Sequence, residues 1–419
     1  MPSTLHSAWR RTVATSPGAT ALTDARSGRS YTFSQLDAEA VEPTSFPTGS
    51  GIEFVRQTLA AWRSGLAICP LESPRDPRPD LGDLPPGIAH IKQTSGSTGS
   101  PQLVLFTAEQ LAADADNIVT TMGFTASRPN VGVISMAHSY GFSNLVLPLL
   151  LHGVPLILGG DPLPNSLARA LDCLPETGGN IPAVPAMWRA WLAAGCLDRR
   201  LVHTAISAGA PLSLELERAI YDQVGIKVHN FYGSSECGGI AYDRSDAPRA
   251  CPDIVGTGMD GVSVRTAEDG CLVVGGAAVA SGYLSDLAPG SLSHQEFSTQ
   301  DLATIDADGT IHLTGRAGDL INIAGRKVSP ATIETEILSD PSVDHCIVFG
   351  IPSKDPERVH EIVAITSGGD PEALRSRLAE RLPAWQRVRN WWVNPELAPN
   401  ARGKLSRNEW LEKWLEHTR

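Results

Sequence analysis

The run IAHIKQTSGSTGSPQLVLF occupies residues 88 to 106, and the rest of the chain is read outward from it. Its two ends, IAHIKQ (88 to 93) and LVLF (103 to 106), have the apolar and β-prone character of buried strands. Between them, small residues can curl so that successive backbone N–H groups and the hydroxyls of Thr94, Ser95, Ser97 and Thr98 face an anion, with Gly96 and Gly99 permitting the curl. This is not a Walker loop, because Gly96 and Gly99 are three apart and no Gly-Lys-Ser/Thr follows. On composition alone, a phosphate cradle and an ordinary Ser/Gly surface loop fit the run equally well.

Strand and helix alternate on its C-terminal side. VGVISMA (131 to 137), VPLIL (154 to 158), LVHTAIS (201 to 207) and IKVHNFY (226 to 232) read as buried strands. SLARALDCL (166 to 174), AMWRAWLAAG (186 to 195) and LSLELERAIYDQV (212 to 224) have helical spacing, so an α/β architecture with a largely parallel sheet is expected. From about 262 the texture changes to two hairpins, VSVRTAEDGCLVVGG and LATIDADGTIHLTGR, each built on an Asp-Gly turn. After GRAGDL (315 to 320) comes helix, strand, strand, helix, strand, the pattern of a small α+β domain. The expected organisation is a large N-terminal domain, 1–317, of α/β subdomains with a small β-rich subdomain, followed by a small α+β C-terminal domain, 318–419. The boundary is placed at Gly318, where nearby glycines and the change of pattern allow a hinge.

Composition excludes several classes. A formal net charge of −12 with scattered basic residues argues against nucleic acid or an anionic membrane as partner. The 7 cysteines never form a C-x-x-C pair, which fits a reducing compartment without a zinc cluster. The N-terminus lacks the apolar core of a secretory signal, and LVLPLLLHGVPLIL (145 to 158) is too short and too broken to span a bilayer; a cytoplasmic location is expected.

With its companion motifs, the glycine run resembles the phosphate-binding loop of the adenylate-forming superfamily, which includes acyl- and aryl-CoA synthetases, peptide-synthetase adenylation domains and luciferases. FYGSSE (231 to 236) resembles the family's Y-G-x-[ST]-E, and TQD (299 to 301) its [ST]-G-D. GRAGDLINIAGRKVSPATIE (315 to 334) resembles its hinge region, and PNARGKLSR (399 to 407) its C-terminal P-x-x-x-G-K-x-x-R. The motifs stand in family order across most of the chain.

The resemblance implies ATP-dependent conversion of a carboxylic acid to an acyl-adenylate, then transfer of the acyl group to the thiol of CoA or of a carrier protein. Such chemistry demands charge neutralisation on phosphate oxygens and in-line positioning. By the same resemblance, Thr94 to Gly99 cradle phosphates, Tyr232 and Gly233 meet adenine with Gly209 and Ala210 at its edge, and Ser235 offers a hydroxyl to the α-phosphate. Glu236 holds Mg2+, a hard cation suited to a carboxylate. Asp301 accepts from the ribose hydroxyls with Arg316 beside it. Lys404, carried by a mobile C-terminal domain pivoting at Gly318, bridges substrate carboxylate and α-phosphate. Gly325 and Arg326 fall at the thiol entry. His138, Ala208 and Gly239 fall at the acyl pocket, although His138 equally reads as a packed core histidine, and Gly209 and Ala210 as plain turn residues. Gly238 and Gly239 are expected to leave room for an aryl ring or acyl chain. Peptide-synthetase domains carry an aspartate near His138 for an α-amino group; MAHSYGFSN has none, so an α-amino acid substrate is disfavoured.

Four departures qualify the match. Gln102 and Leu103 replace the usual Lys-Gly after the loop, Gln300 replaces a glycine, Gly318 replaces an acidic or lysine hinge residue, and the N-terminal region is short. They leave two alternatives beside the acid–thiol ligase: a catalytically weak nucleotide- or adenylate-binding partner protein, and an adenylating ligase that forms an amide or lactone.

Overall fold

A computed structural model of the chain describes residues 4–94, 102–284, 292–293, 295–353, 359–399 and 405–418. Two compact units divide it: Met1–Arg265 with Val273–Thr299 and Ile305–Ile311, and Thr266–Leu272 with Gln300–Thr304 and His312–Arg419.

The strands of the first unit include β1 (Thr20–Asp24), β2 (Arg29–Thr32), β3 (Ile88–Thr94), β4 (Gln102–Thr107), β5 (Asn130–Gly132), β6 (Leu156–Leu158), β7 (Gly179–Ala183), β8 (Val202–Ser207), β9 (Val228–Ser234), β10 (Gly238–Tyr242) and β11 (Ile254–Gly258). Nine of these form a continuous run in the order β11-β10-β9-β8-β7-β5-β6-β1-β2. From β9 to β1 every neighbouring pair is parallel, as the alternation of strand and helix predicts. The ends are antiparallel: β2 on β1, and β10 and β11 beyond β9. β3 and β4 form a separate antiparallel hairpin, to which the short strand Gly282–Tyr283 adds along β4.

Helices Pro164–Leu171, Pro185–Ala193 and Leu214–Val224 make the crossovers between parallel strands. The core they close contains Trp188 and Trp191, both fully buried and packed edge to face at 5.2 Å, with Ile181, Ile220 and Val228. A second apolar core gathers Trp9, Phe33, Phe54, Trp62 and Phe142. The segment LVLPLLLHGVPLIL becomes the short helix Leu147–His152 and β6, and among the described residues no helix is long and apolar enough to cross a membrane. The strand expected over 131–137 is shorter than its composition promised. β5 ends at Gly132, because the chain beyond it leaves the ladder to run against the short helix Ser139–Gly141, where a Cβ on Gly141 would stand 2.0 Å from the Ser135 carbonyl oxygen.

At the start of β9 lies a buried charge network. Lys227 Nζ donates to Glu217 Oε1 and, at 2.6 Å, to Asp243 Oδ2, while Arg249 Nε donates to Glu217 Oε2 at 2.9 Å. Arg249 also donates to the carbonyls of Leu212 and Ile254, both at 2.6 Å. The network fastens the loop that follows β10 to the helix Leu214–Val224.

The second unit is α+β, as expected. A three-stranded sheet, Cys346–Pro352, His360–Thr366 and Asn390–Val393, is covered on one face by Ile333, Ile337, Leu374 and Leu378 and on the other by Trp410 and Trp414. Alternation makes this possible: Ile347 and Phe349 face the tryptophans, and Val348 between them faces the opposite core.

Replacing Trp188 by alanine empties a fully buried site and removes the donor to the Ile206 carbonyl at 3.2 Å. The expected loss is about 3–5 kcal/mol of unfolding free energy, read from the urea midpoint, with Trp188→Phe losing less.

Candidate active site

β9 and β10 are joined by a turn of three residues, Ser235, Glu236 and Cys237, at the C-terminal end of the parallel strands. In open α/β sheets this is the end where ligands bind. The tight return depends on glycine. A Cβ on Gly233 would stand 2.6 Å from the Gly238 carbonyl oxygen, and Gly238 has φ +70°. Glu236 is half-buried and held through its backbone: its N–H donates to Ser234 Oγ at 3.2 Å and its carbonyl accepts from Ala280 N at 2.9 Å. Its carboxylate accepts from the Tyr283 hydroxyl at 3.4 Å. Tyr232 and Gly233 precede it on β9, so the motif FYGSSE occupies one strand end and its turn.

Behind this turn the fold assembles residues that the linear sequence keeps apart. Asp114, on the helix Ala108–Met122, accepts from Ser143 Oγ at 2.6 Å and from the Gly239 N–H at 3.3 Å. Lys92 of β3 brings its ammonium 3.7 Å from Asp114 Oδ2 and 4.3 Å from the centre of the Phe106 ring; both charged side chains are almost wholly buried. Cys237 is buried beside them, and burial pushes its thiol up to about 12, with Glu236 and Asp114 adding to the rise. His90, enclosed against Phe142 at 4.3 Å, is held well below the usual histidine range by burial and by the Lys92 charge.

None of these neighbours was anticipated. A signal existed: in AEQLAADADNIV, Asp114 falls on the helix face that carries Leu111, Ala115 and Ile118, and a carboxylate on a buried face needs a partner. MAHSYGFSN contains no aspartate, yet Asp114 reaches Ser143 within it from another element, already engaged by Ser143, Gly239 and Lys92.

The remaining expected site residues fall as follows. Thr94 ends β3, with Gln102 directly across the hairpin from it, so the residue at the usual lysine position stands at the base of the loop. Ser95, Gly96, Ser97, Thr98 and Gly99 lie outside the described residues, as does Lys404. Ala208 is buried just past β8, and Gly209 turns the chain with φ +83°, followed by Ala210. His138 lies 2.5 Å from Glu72, with both side chains about two-fifths exposed. Its neighbour Tyr140 is the one turned inward, donating to the Ala183 carbonyl at 3.3 Å with its ring against Phe231; burial raises its hydroxyl well above the usual tyrosine value. The room expected at Gly238 and Gly239 is filled: an added Cβ would meet Asp114 Oδ1 at 2.1 Å at the first and Met259 Sδ at 2.4 Å at the second.

In the second unit, Arg316 Nε lies 2.8 Å from Asp301 Oδ1. Gly318 sits in a short 3₁₀ turn, Ala317–Asp319, where a Cβ would make only ordinary contact with Gln300. Gly325 occupies a hairpin tip at φ +81°, and the Arg326 guanidinium lies over the Trp385 ring at 5.7 Å. Arg407, last residue of the PNARGKLSR motif, donates to Asp319 Oδ2 at 2.8 Å, to both Glu334 oxygens at 2.7 and 2.8 Å, and to the Val348 carbonyl at 3.0 Å.

The architecture is that of the adenylate-forming enzymes. ATP-bound MatB from Rhodopseudomonas palustris aligns with a TM-score of 0.83 at 18% identity, covering 98% of this chain and 99% of that one. The o-succinylbenzoate CoA synthetase MenE from Bacillus subtilis, in complex with its acyl-adenylate intermediate, aligns with a TM-score of 0.81 at 18% identity, covering 96% of this chain and 97% of its own. The chain belongs to the AMP-binding enzyme family, whose model matches residues 72–284. Among its relatives, the feruloyl-CoA synthase of an Amycolatopsis species is 26% identical over 379 residues, covering 84% of this chain and 76% of that protein.

Arg407→Lys is expected to lower the stability of the second unit by about 2 kcal/mol, because a lysine cannot reproduce the forked bonds to Glu334 while also reaching Asp319. Thermal unfolding against the parent protein measures this.

Proposed function

We propose that the chain activates a carboxylic acid, aryl or acyl, as its adenylate at the expense of ATP and passes the acyl group to a thiol, that of CoA first and a carrier protein second. The observation that carries this reading is Glu236 on the β9–β10 turn, preceded by Tyr232 and Ser235, at the ligand-binding end of the sheet and inside the AMP-binding match. An α-amino acid is a poor fit, since MAHSYGFSN carries no aspartate and Asp114, which reaches it from another element, already has its oxygens engaged by Ser143, Gly239 and Lys92.

The residues divide the work by charge. The substrate carboxylate attacks the α-phosphorus, the bond to the bridging oxygen of pyrophosphate breaks, and pyrophosphate leaves. Thr94 to Gly99 bind the phosphates through N–H and hydroxyl groups, Ser235 donates to an α-phosphate oxygen, and Tyr232 and Gly233 meet the adenine. Asp301, oriented by Arg316, accepts from the ribose hydroxyls. Lys404 neutralises charge shared by the carboxylate and the α-phosphate, with Gly318 as the pivot of its domain, 318–419. The thiol then attacks the acyl carbonyl and AMP departs, with Gly325 and Arg326 at the thiol's approach. Glu236 fits Mg2+ as a half-buried carboxylate on the turn, with Oε1 accepting only a long bond from the Tyr283 hydroxyl at 3.4 Å, and a carboxylate is the donor type that a hard cation takes. The ion, when bound, withdraws charge from the phosphate oxygens.

A panel of aryl and acyl acids with ATP and magnesium, followed by pyrophosphate release with and without CoA, a carrier protein or an amine, tests the reading. Failure of every aryl and acyl acid to release pyrophosphate defeats it, and an amide product moves the assignment to the amide-forming alternative. Lys404→Ala is expected to slow adenylate formation more than about 100-fold while leaving ATP affinity within about threefold; a variant that adenylates normally removes Lys404 from the mechanism.

A further inference from the structure

The buried pair behind the β9–β10 turn joins two segments that must act on the same nucleotide. Lys92 stands two residues before Thr94, at the end of the strand that leads into the phosphate loop, and Asp114 contacts the backbone just beyond Glu236. Three observations fix the Asp114 carboxylate in place, and two of them, those at Gly239 and Gly238, fix it to the turn. Its Oδ1 accepts from the Gly239 N–H at 3.3 Å, its Oδ2 accepts from the Ser143 hydroxyl at 2.6 Å, and Gly238 rests so close that any Cβ there would stand 2.1 Å from the carboxylate. Among the described residues the Lys92 ammonium makes no hydrogen bond; it lies 3.7 Å from Asp114 Oδ2 and 4.3 Å from the centre of the Phe106 ring, so its role there is electrical.

We propose that Asp114, with Lys92 as its counter-ion, is a positioning residue that sets the orientation of the Glu236 turn and couples it to the strand bearing the phosphate loop. The proposal rests on the assignment of Glu236 to the magnesium ion of ATP. Asp114 touches neither nucleotide nor ion; it acts through the peptide backbone at Gly238 and Gly239. Lys92 allows a carboxylate to occupy this buried position, where an uncompensated charge is strongly unfavourable. Outer partners that hold a metal-binding carboxylate commonly govern affinity by about 10- to 100-fold.

Two charge-balanced double variants isolate the acceptor from the charge. Lys92→Met/Asp114→Asn keeps a carbonyl oxygen for the Gly239 N–H, and Lys92→Met/Asp114→Ala removes it; neither leaves a buried charge unpaired, so both should fold. Calorimetry of ATP binding with and without magnesium gives the gain in affinity due to the metal. The expected result is a gain within about threefold of the parent in the asparagine variant and reduced about tenfold in the alanine variant, with metal-free ATP affinity the same in both. Equal gains in the two variants overturn the proposal. A parent protein with no gain from magnesium overturns the Glu236 assignment and the proposal together. Pyrophosphate release plays no part in this readout, so a protein that binds magnesium-ATP but activates no acid defeats the ligase reading alone.

Discussion

The return of β10 onto β9 is the constraint from which the candidate site follows. Three consecutive contacts in that return admit no side chain: Gly233 against the Gly238 carbonyl, Gly238 against Asp114, and Gly239 against Met259 and Phe231. Because the approach is made by backbone, the direction of Glu236 is set by peptide geometry and by two bonds to its own main chain, from Ala280 and to Ser234. The main chain that carries this carboxylate is thus fixed before any ligand arrives, and pre-organisation of that kind is where electrostatic stabilisation gains most.

β9 is held by charge at both ends. Lys227, Glu217, Asp243 and Arg249 secure its beginning, and Asp114 with Lys92 lies behind the turn at its end. Buried ion pairs contribute little net stability compared with apolar groups of the same volume. Their effect is on alternatives. A slip of one residue between β9 and β8 would strand a charge in the core while also turning every side chain of the strand to the wrong face. The strand that carries the site residues therefore has one register.

Much of the fold was legible because periodicity reports burial. Strand and helix alternation gave the parallel sheet, and each Asp-Gly pair stands between two neighbouring strands, Ser263–Thr266 with Cys271–Gly275 and Glu296–Ile305 with Thr310–Arg316. VGVISMA was read too long: Val131 and Gly132 pair within β5, while Val133, Ile134 and Met136 are apolar because they are buried in the two cores, and composition does not separate burial from pairing. The site was legible only where it is contiguous. FYGSSE could be read as one motif because strand and turn are continuous, but Lys92, Asp114, Ser143 and Tyr283 meet by folding alone. Small residues were the least informative: Gly238 and Gly239 read as open space for a substrate, and both prove to be spaces already taken by neighbours. An absent aspartate in MAHSYGFSN was likewise a statement about sequence, which the fold answered from the helix Ala108–Met122.

Cys237 carries a practical consequence for chemical probing. It directly follows Glu236, a position that invites the idea of a reactive thiol, yet burial, with Glu236 and Asp114 beside it, pushes the thiol up to about 12 and disfavours the reactive anion. Alkylating reagents would instead meet Cys173 and Cys251, which are exposed. Thiol-profiling methods would thus map this protein's exposed cysteines while passing over the β9–β10 turn, and an unlabelled Cys237 would say nothing about whether a ligand sits there.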